Sequence, residues 1–238
     1  MQLRSFFERS CKWSHYIMPH VISMNFNTNS PIGILTDSHG QVAQLSQAIN
    51  YLKEKKCKTI IHLGDICDSA HIHTADECIS IIQKHDVIAI RGNNDHALSV
   101  SDNPKINRST LEYIQSLPLV IQSENLIFAH SLPFVYVLGL SCMIQSLNKR
   151  SLKLCFNSFA ENAILFRGHS HQPEIVVQTH EGFKRMELHL PAKKKLKYLC
   201  PCIITCGTVM NGQCMVYYPG DQVLLGYILT TELITGQK

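Results

Sequence analysis

Asp37-Ser38-His39, Gly64-Asp65-Ile66-Cys67-Asp68, Gly92-Asn93-Asn94-Asp95, His130 and Gly168-His169-Ser170-His171 are the stretches of this chain whose residue types suit metal chemistry. Carboxylate and imidazole donors together favour Mn, Fe, Zn or Co over calcium, which takes oxygen ligands only. An Asp-x-His or His-x-His pair on extended backbone turns both side chains to one side, so each pair can reach one metal cluster. The glycines ahead of Asp65, Asn93 and His169 allow the chain to leave a strand sharply. Rival phosphate chemistries lack their marks: there is no glycine loop ending in Lys-Ser/Thr and no Gly-x-Ser-x-Gly elbow.

Taken singly, each residue has a plainer role. The chain has 13 histidines, most of them expected to be structural or exposed. Asp68 alone could cap a helix, and Gly92-Asn93 alone could make a turn. His62, inside an apolar run, reads as a packed or hydrogen-bonded core residue. His71-Ile72-His73 has ligand spacing but comes after no strand and reads as a surface loop. The plainer roles leave the ordered set unexplained.

The elements that must position this set begin at Pro31. Ile32 to Thr36 is a short apolar run closed by Asp37, as in a buried strand. Gln41 to Lys55 places Val42, Leu45, Ile49 and Leu52 on one helical face. Thr59 to Leu63 predicts a strand, Ala75 to Lys84 a helix, and Val87 to Ile90 a third strand. That alternation yields a parallel sheet covered by helices. Thr110 to Leu117 predicts a short helix. Leu119 to Ile121, Leu126 to Ala129, Ala163 to Phe166 and Ile175 to Gln178 predict strands, as do Cys202 to Thr208 and Cys214 to Leu229 around a turn at Pro219-Gly220-Asp221. Val137 to Leu147 has helical character within a stretch, Leu132 to Ala160, that resists assignment. The expected fold is α/β with an α+β tail, a two-layered mixed β-sheet sandwich flanked by helices. Asp, Asn or His then stands at the end of each of five strands, where loops of such sheets carry function.

A chain of 238 residues suits one domain, 31–238, behind an N-terminal extension, 1–30, with Met18 and Met24 as alternative starts. Hydrophobic residues at 45% can build a core, and 17% charged residues are too few for a disordered chain. The net charge of +4 singles out neither nucleic acid nor membrane. No run has the length of a transmembrane helix, and the N-terminus lacks the apolar core of a signal peptide. Ten cysteines in a chain of this size point to reduced thiols and a cytoplasmic setting rather than a disulfide framework. Cys200, Cys202, Cys206 and Cys214 lack zinc-ribbon spacing and read as buried thiols. Lys193, Lys194, Lys195 and Lys197 read as a solvated loop.

The order Asp-x-His, Gly-Asp-x-x-Asp, Gly-Asn-x-Asp, His, Gly-His-x-His resembles the calcineurin-like metallophosphoesterase superfamily, and within it the small bacterial and archaeal phosphodiesterases. The resemblance runs from about Ile32 to Leu229. It implies two divalent ions, Mn first, with Fe, Zn, Ni or Co as alternatives. Asp37, His39 and His171 match ligands of one ion; Asn93, His130 and His169 match ligands of the other, and Asp65 matches the carboxylate bridging both. The implied nucleophile is a hydroxide held between ions that lie ~3.5–4 Å apart in such sites. Catalytic positions fall on Asp65, Asn94 and Asp95, with Asp68 and Asp95 matching residues that orient ligands. The substrate is expected to be a small phosphate ester or nucleotide-like molecule, a diester before a monoester, with neither membrane nor nucleic acid as partner.

Two departures narrow the match. The third motif reads Asn93-Asn94-Asp95 where phosphoprotein phosphatases have Asn-His-Asp/Glu, so the usual proton donor is missing. Asp68-Ser69-Ala70 replaces their Asp-Arg-Gly. Both argue against a protein phosphatase. Ser131 also stands where a Gly often comes after the His. The alternative to an enzyme is a non-catalytic interaction scaffold of the same fold, which would be free to lose ligands. Every ligand position here holds a competent residue.

Overall fold

The computed structural model describes residues 21–27, 29–101, 103–133 and 140–229. The chain opens with β1 (Val21–Ser23) and continues through β2 (Ile32–Leu35), α1 (Val42–Glu54), β3 (Thr59–His62), α2 (Ala75–Lys84) and β4 (Ile88–Ala89). Next come α3 (Asn93–Ser99), α4 (Arg108–Ser116), β5 (Val120–Ser123), β6 (Leu126–Ala129), α5 (Leu140–Ile144) and α6 (Lys149–Ser158). The remaining strands are β7 (Ile164–Arg167), β8 (Glu174–Thr179), β9 (Gly182–Glu187), β10 (Ala192–Lys195), β11 (Cys202–Thr205), β12 (Gln213–Tyr218) and β13 (Val223–Ile228). One sheet runs β10-β13-β12-β2-β3-β4 and the other β1-β5-β6-β7-β11-β8-β9.

The two sheets pack face to face as the α/β reading expected, with β2, β3 and β4 parallel. Alternation along each strand sorts the core into three layers. Ile32, Ile34, Ile61 and Leu63 meet Phe128, Ile164, Phe166 and Ile204 between the sheets. Leu35 and Ile60 face away from that interface toward Leu45, Ile49 and Leu52 of α1 and Ile79 and Ile82 of α2. On the far side, Ile127, Leu165 and Ile203 pack against Leu152, Cys155 and Phe156 of α6. The chain beyond residue 189 is integral to both sheets: β11 lies between β7 and β8, and β12 pairs with β2.

Three elements differ from the sequence reading. β1 lies inside the stretch assigned to an N-terminal extension, yet it pairs with β5, and Phe26 packs edge-on against Phe128 at 5.8 Å. Residues 1–20 of that stretch lie outside the described residues. The lysine run expected to be a solvated loop is the edge strand β10, paired with β13. Lysines on an edge block pairing with other chains and leave no apolar alternation to read. β9, an edge strand of the other sheet, likewise has no buried residue. The third is α6, within the unassigned stretch. Its N-cap, Asn148, accepts from the Ser151 backbone N–H at 2.9 Å, and Leu152, Cys155 and Phe156 are its apolar face. Of the helix expected over 137–147, Leu140–Ile144 is helical and residues 137–139 lie outside the described residues.

The cysteines resolve as thiols. Cys202 and Cys206 belong to the inter-sheet core, Cys214 to the core under α1, and no described cysteine is in a disulfide. No helix among the described residues is long and apolar enough to cross a membrane.

Candidate metal centre

The ligand candidates gather where the C-terminal ends of β2, β3 and β4 meet those of β6 and β7. Backbone hydrogen bonds tie these loops together: Asp37 N–H donates to Gly64 O at 3.0 Å, His39 N–H to Asp65 O at 3.0 Å, and Gly168 N–H to His130 O at 3.1 Å. Asp37, His39, Asp65, His169 and His171 all have positive φ, between 43° and 69°. Side-chain-bearing residues enter this left-handed region rarely and at a cost. Five of the nine such described residues are therefore ligand candidates. The Asp-x-His and His-x-His pairs do reach one cluster. They do so through paired left-handed residues beyond the strands, not through the extended backbone expected.

Glycines make the approach of the loops possible. Gly64 has φ +90°, a turn as expected, whereas Gly92 and Gly168 serve close contact. A Cβ on Gly92 would strike the backbone N and Oδ1 of Asp65, and one on Gly168 would strike Thr36 Oγ1 and Asp37 Oδ2. Gly168→Ala is expected to displace Asp37 and lower both metal content and turnover by at least about tenfold, the scale of losing a group that orients ligands. Elemental analysis alongside an activity assay checks this; unchanged metal content in folded protein refutes it.

Asp37 has one oxygen anchored and one presented, whereas both oxygens of Asp65 are hydrogen-bonded to Asn94. Asp37 Oδ2 accepts from Thr36 Oγ1 at 2.6 Å and from His169 N–H at 3.0 Å. Its Oδ1 faces His171 Nε2 at 3.2 Å and His39 Nε2 at 3.7 Å. Asp65 Oδ1 accepts from Asn94 N–H at 2.8 Å. Asp65 Oδ2 accepts from Asn94 Nδ2 at 2.8 Å and lies 3.7 Å from His39 Nε2 and 3.5 Å from His130 Nε2. Asn93 Oδ1 sits 3.1 Å from both His130 Nε2 and His169 Nδ1. Ring nitrogens His39 Nε2 and His171 Nε2 are 3.2 Å apart.

These separations are what donors around a shared cation need, roughly 3–3.5 Å for bonds of ~2.0–2.2 Å. Asp37, His39 and His171 form one group able to hold an ion, and Asp37, Asp65 and His130 a second. Asp37 thus stands in both, where the sequence reading gave the shared place to Asp65 alone. The His130 Nδ1–H donates to Leu63 O at 2.8 Å, which leaves Nε2 with a lone pair in the neutral ring. That lone pair faces the Asn93 carbonyl oxygen. Positive charge between these two acceptors, or on the ring, would make their 3.1 Å approach favourable.

Electrostatics make the same demand. Burial opposes a charged His130, but Asp65 and then Asp37 override it and push its pKa up to about 9. Burial likewise disfavours ionised Asp37, and hydrogen bonds with His171 and His39 overcome it, holding the carboxyl well below its ordinary range. His169, nearer to His130 and Arg167, goes the other way: burial first, then those two cations, depress it to about 4. The pocket calls for positive charge, which a divalent cation supplies with the histidines neutral. The donor set fits transition-metal ions.

The remaining expected residues sort differently. Asp95 is fully buried and accepts backbone N–H groups of Cys67 at 3.0 Å, Gly92 at 3.0 Å and Ile66 at 3.3 Å. Through Ile66 and Cys67 it holds the loop that carries Asp65. Asp68 turns onto its own loop, accepting from Ala70 N–H at 2.7 Å and His71 N–H at 3.3 Å and pairing with His71 Nδ1 at 3.0 Å. No hydrogen bond from it to a ligand candidate is present among the described residues. His62 is a core residue as expected; its Nε2–H donates to Ser38 Oγ at 3.0 Å, and that hydroxyl donates to Ile66 O.

One residue escaped the sequence reading. Arg167, last in β7, is buried with 1% exposure. Its guanidinium donates to Ser170 Oγ at 3.2 Å, Thr205 Oγ1 at 3.2 Å and Ser131 Oγ at 3.3 Å. The available signal was an Arg closing an otherwise apolar strand just before Gly168-His169.

A family model described as the calcineurin-like phosphoesterase superfamily domain matches residues 31–189. The chain belongs to this superfamily. Calcineurin-like phosphoesterase membership supports hydrolysis of phosphoesters and use of divalent metal, the coarse reading of the Asp/His cluster. The crystal structure of a metallophosphoesterase from Sphaerobacter thermophilus matches with a TM-score of 0.68 at 19% identity, over 84% of this chain and 88% of that one. The two chains share a fold. An uncharacterized protein of Methanocaldococcus jannaschii is 24% identical over 172 residues, 64% of this chain and 66% of that protein. The match thus spans just under two thirds of that relative's length.

Proposed function

We propose that this chain hydrolyses small phosphodiesters, nucleotide-like esters among them, with two divalent cations as cofactors and manganese as the first choice. The observation that carries this reading is the position of Asp65 Oδ2, between His39 Nε2 on one side and His130 Nε2 on the other. Asp37, His39 and His171 would hold one ion, and Asn93, His130 and His169 the other, with Asp65 shared. Bound there, the ions would acidify water for attack on phosphorus and neutralise charge on the phosphoryl oxygens.

The protein's own part is positioning. Asp95 locks the Asp65 loop through the backbone N–H groups of Ile66 and Cys67. Leu63 O sets the His130 tautomer so that Nε2 points inward. Asn94 stands over Asp65 with its amide oxygen engaged by Ser69 Oγ at 2.7 Å. It can donate hydrogen bonds near the leaving group but has no proton to give. Activity on freely diffusing small esters in the cytoplasm is part of this reading.

Protein purified with Mn²⁺ supplied is expected to carry close to two equivalents of metal and to hydrolyse bis(para-nitrophenyl) phosphate. Elemental analysis and a panel of mono- and diesters test both statements. A single tightly held ion, or no turnover of any ester by metal-saturated protein, overturns the proposal.

A further inference from the structure

Beside the metal centre lies a cavity of about 340 Å³. Arg167, His169, Ser170, Arg185, Ser146 and Asn148 are in its lining. His169 belongs to both cavity and metal centre. The lining holds no Asp or Glu among the described residues. Arg185 is already neutralised: Glu174 accepts from its Nε at 2.8 Å and its Nη2 at 2.6 Å. Arg167 is not. Its partners are three hydroxyls, its buried Nε–H has no acceptor, and no carboxylate stands within ion-pair distance of it among the described residues. Buried charges are ordinarily paired, because hydroxyl dipoles do not replace the water that a guanidinium loses. Asn148, also in the lining, is the N-cap of α6, whose first turn holds no acid, so the helix dipole adds to the positive field.

We infer that this cavity is a second anion site, receiving an anionic group of the substrate other than the phosphoryl group under attack. The inference rests on the phosphoesterase reading and narrows it. The substrate class is phosphoesters that carry a further phosphate or carboxylate on the side of His169. Arg167, within the field of Asp37 and Glu174 but ion-paired with neither, supplies the charge, with Ser146 and Ser170 as hydroxyl donors. A planar guanidinium takes either anion, so the chemistry shared by phosphate and carboxylate defines the site.

The test compares three non-hydrolysable probes on metal-loaded protein by calorimetry: methylphosphonate, phosphonopropionate and a propylene bisphosphonate. The doubly anionic probes are expected to bind about tenfold to a hundredfold more tightly than methylphosphonate, as a hydrogen bond to a charged group provides. Gain by both assigns either anion, and gain by the bisphosphonate alone assigns a second phosphate. Arg167→Gln should bring the ratio to within about twofold. Should that variant fail to fold, Ser146→Glu on the exposed wall places a carboxylate against Arg167 and should collapse the ratio in the same way. A ratio near one in the natural protein, or one that survives the substitutions because the second anion merely chelates metal, overturns the inference. Turnover of bis(para-nitrophenyl) phosphate is read separately. Lost turnover with the ratio intact counts against the phosphoesterase reading alone, and turnover without the ratio counts against the anion site alone.

Discussion

Asp65→Asn is expected to lower phosphoester turnover by on the order of 10²–10³-fold or more, the range seen when one preorganised charge-stabilising group is lost. The substitution keeps shape and removes charge. Asp65 Oδ2 lies 3.7 Å from His39 Nε2 and 3.5 Å from His130 Nε2, so one oxygen faces both rings. An amide there presents one weak acceptor and one NH₂, and the NH₂ meets donors it cannot satisfy. Asn94 already donates to both Asp65 oxygens, through its backbone N–H and its Nδ2, each at 2.8 Å. Metal content should fall together with turnover, because one carboxylate fewer leaves less charge to hold two cations. Circular dichroism should stay unchanged, since the hydrophobic layers above and below are untouched. Activity within a few-fold of the natural protein, at full metal loading, would remove Asp65 from the shared position.

The clustering of Asp37, His39, Asp65, His130 and His171 was legible in the sequence because metal chemistry restricts residue type and because parallel strands announce themselves. Ile32–Leu35, Thr59–His62 and Ile88–Ala89 are short apolar runs, and the loop after each strand is polar, glycine-flanked and of ligand type. The conformation of the ligands was not legible. Extended and left-handed backbone both bring alternate residues to one side, and only the structure separates them. Asp95 shows the same limit: a carboxylate that binds metal and one that gathers three backbone N–H groups look alike in a motif. At the sheet edges, β1, β9 and β10 lack the alternating apolar pattern because at least one face and one side meet solvent. Arg167 was overlooked for the opposite reason. A charged residue closing a buried strand reads as the start of a loop, and the hydroxyls that receive it, on Ser131 and Thr205, are distant in sequence.

The dependence of rate on leaving group should separate this chain from superfamily members with His in the third motif. General acid catalysis contributes about 10²–10⁴-fold, most where the departing oxygen is basic. The corresponding residue, Asn94, points its Nδ2 at Asp65 and its Oδ1 at Ser69, and an amide cannot release a proton at neutral pH. Aryl esters should therefore outpace simple alkyl esters by a factor on the order of 10² or more, the lower bound of the missing term. Plotting log kcat/KM against leaving-group pKa should give a steep negative slope. Asn94→His should flatten it by speeding the poorest leaving groups, provided the ring keeps one N–H on Asp65 and turns the other toward the substrate. The neighbouring imidazole, His96, is the other candidate acid. Its Nδ1 is buried without a partner, and burial and then Arg91 lower its pKa, so it is mostly neutral at pH 7 and a poor donor there. A shallow slope that Asn94→His leaves unchanged would show that some other acid already serves the leaving group, with His96→Asn the variant to identify it.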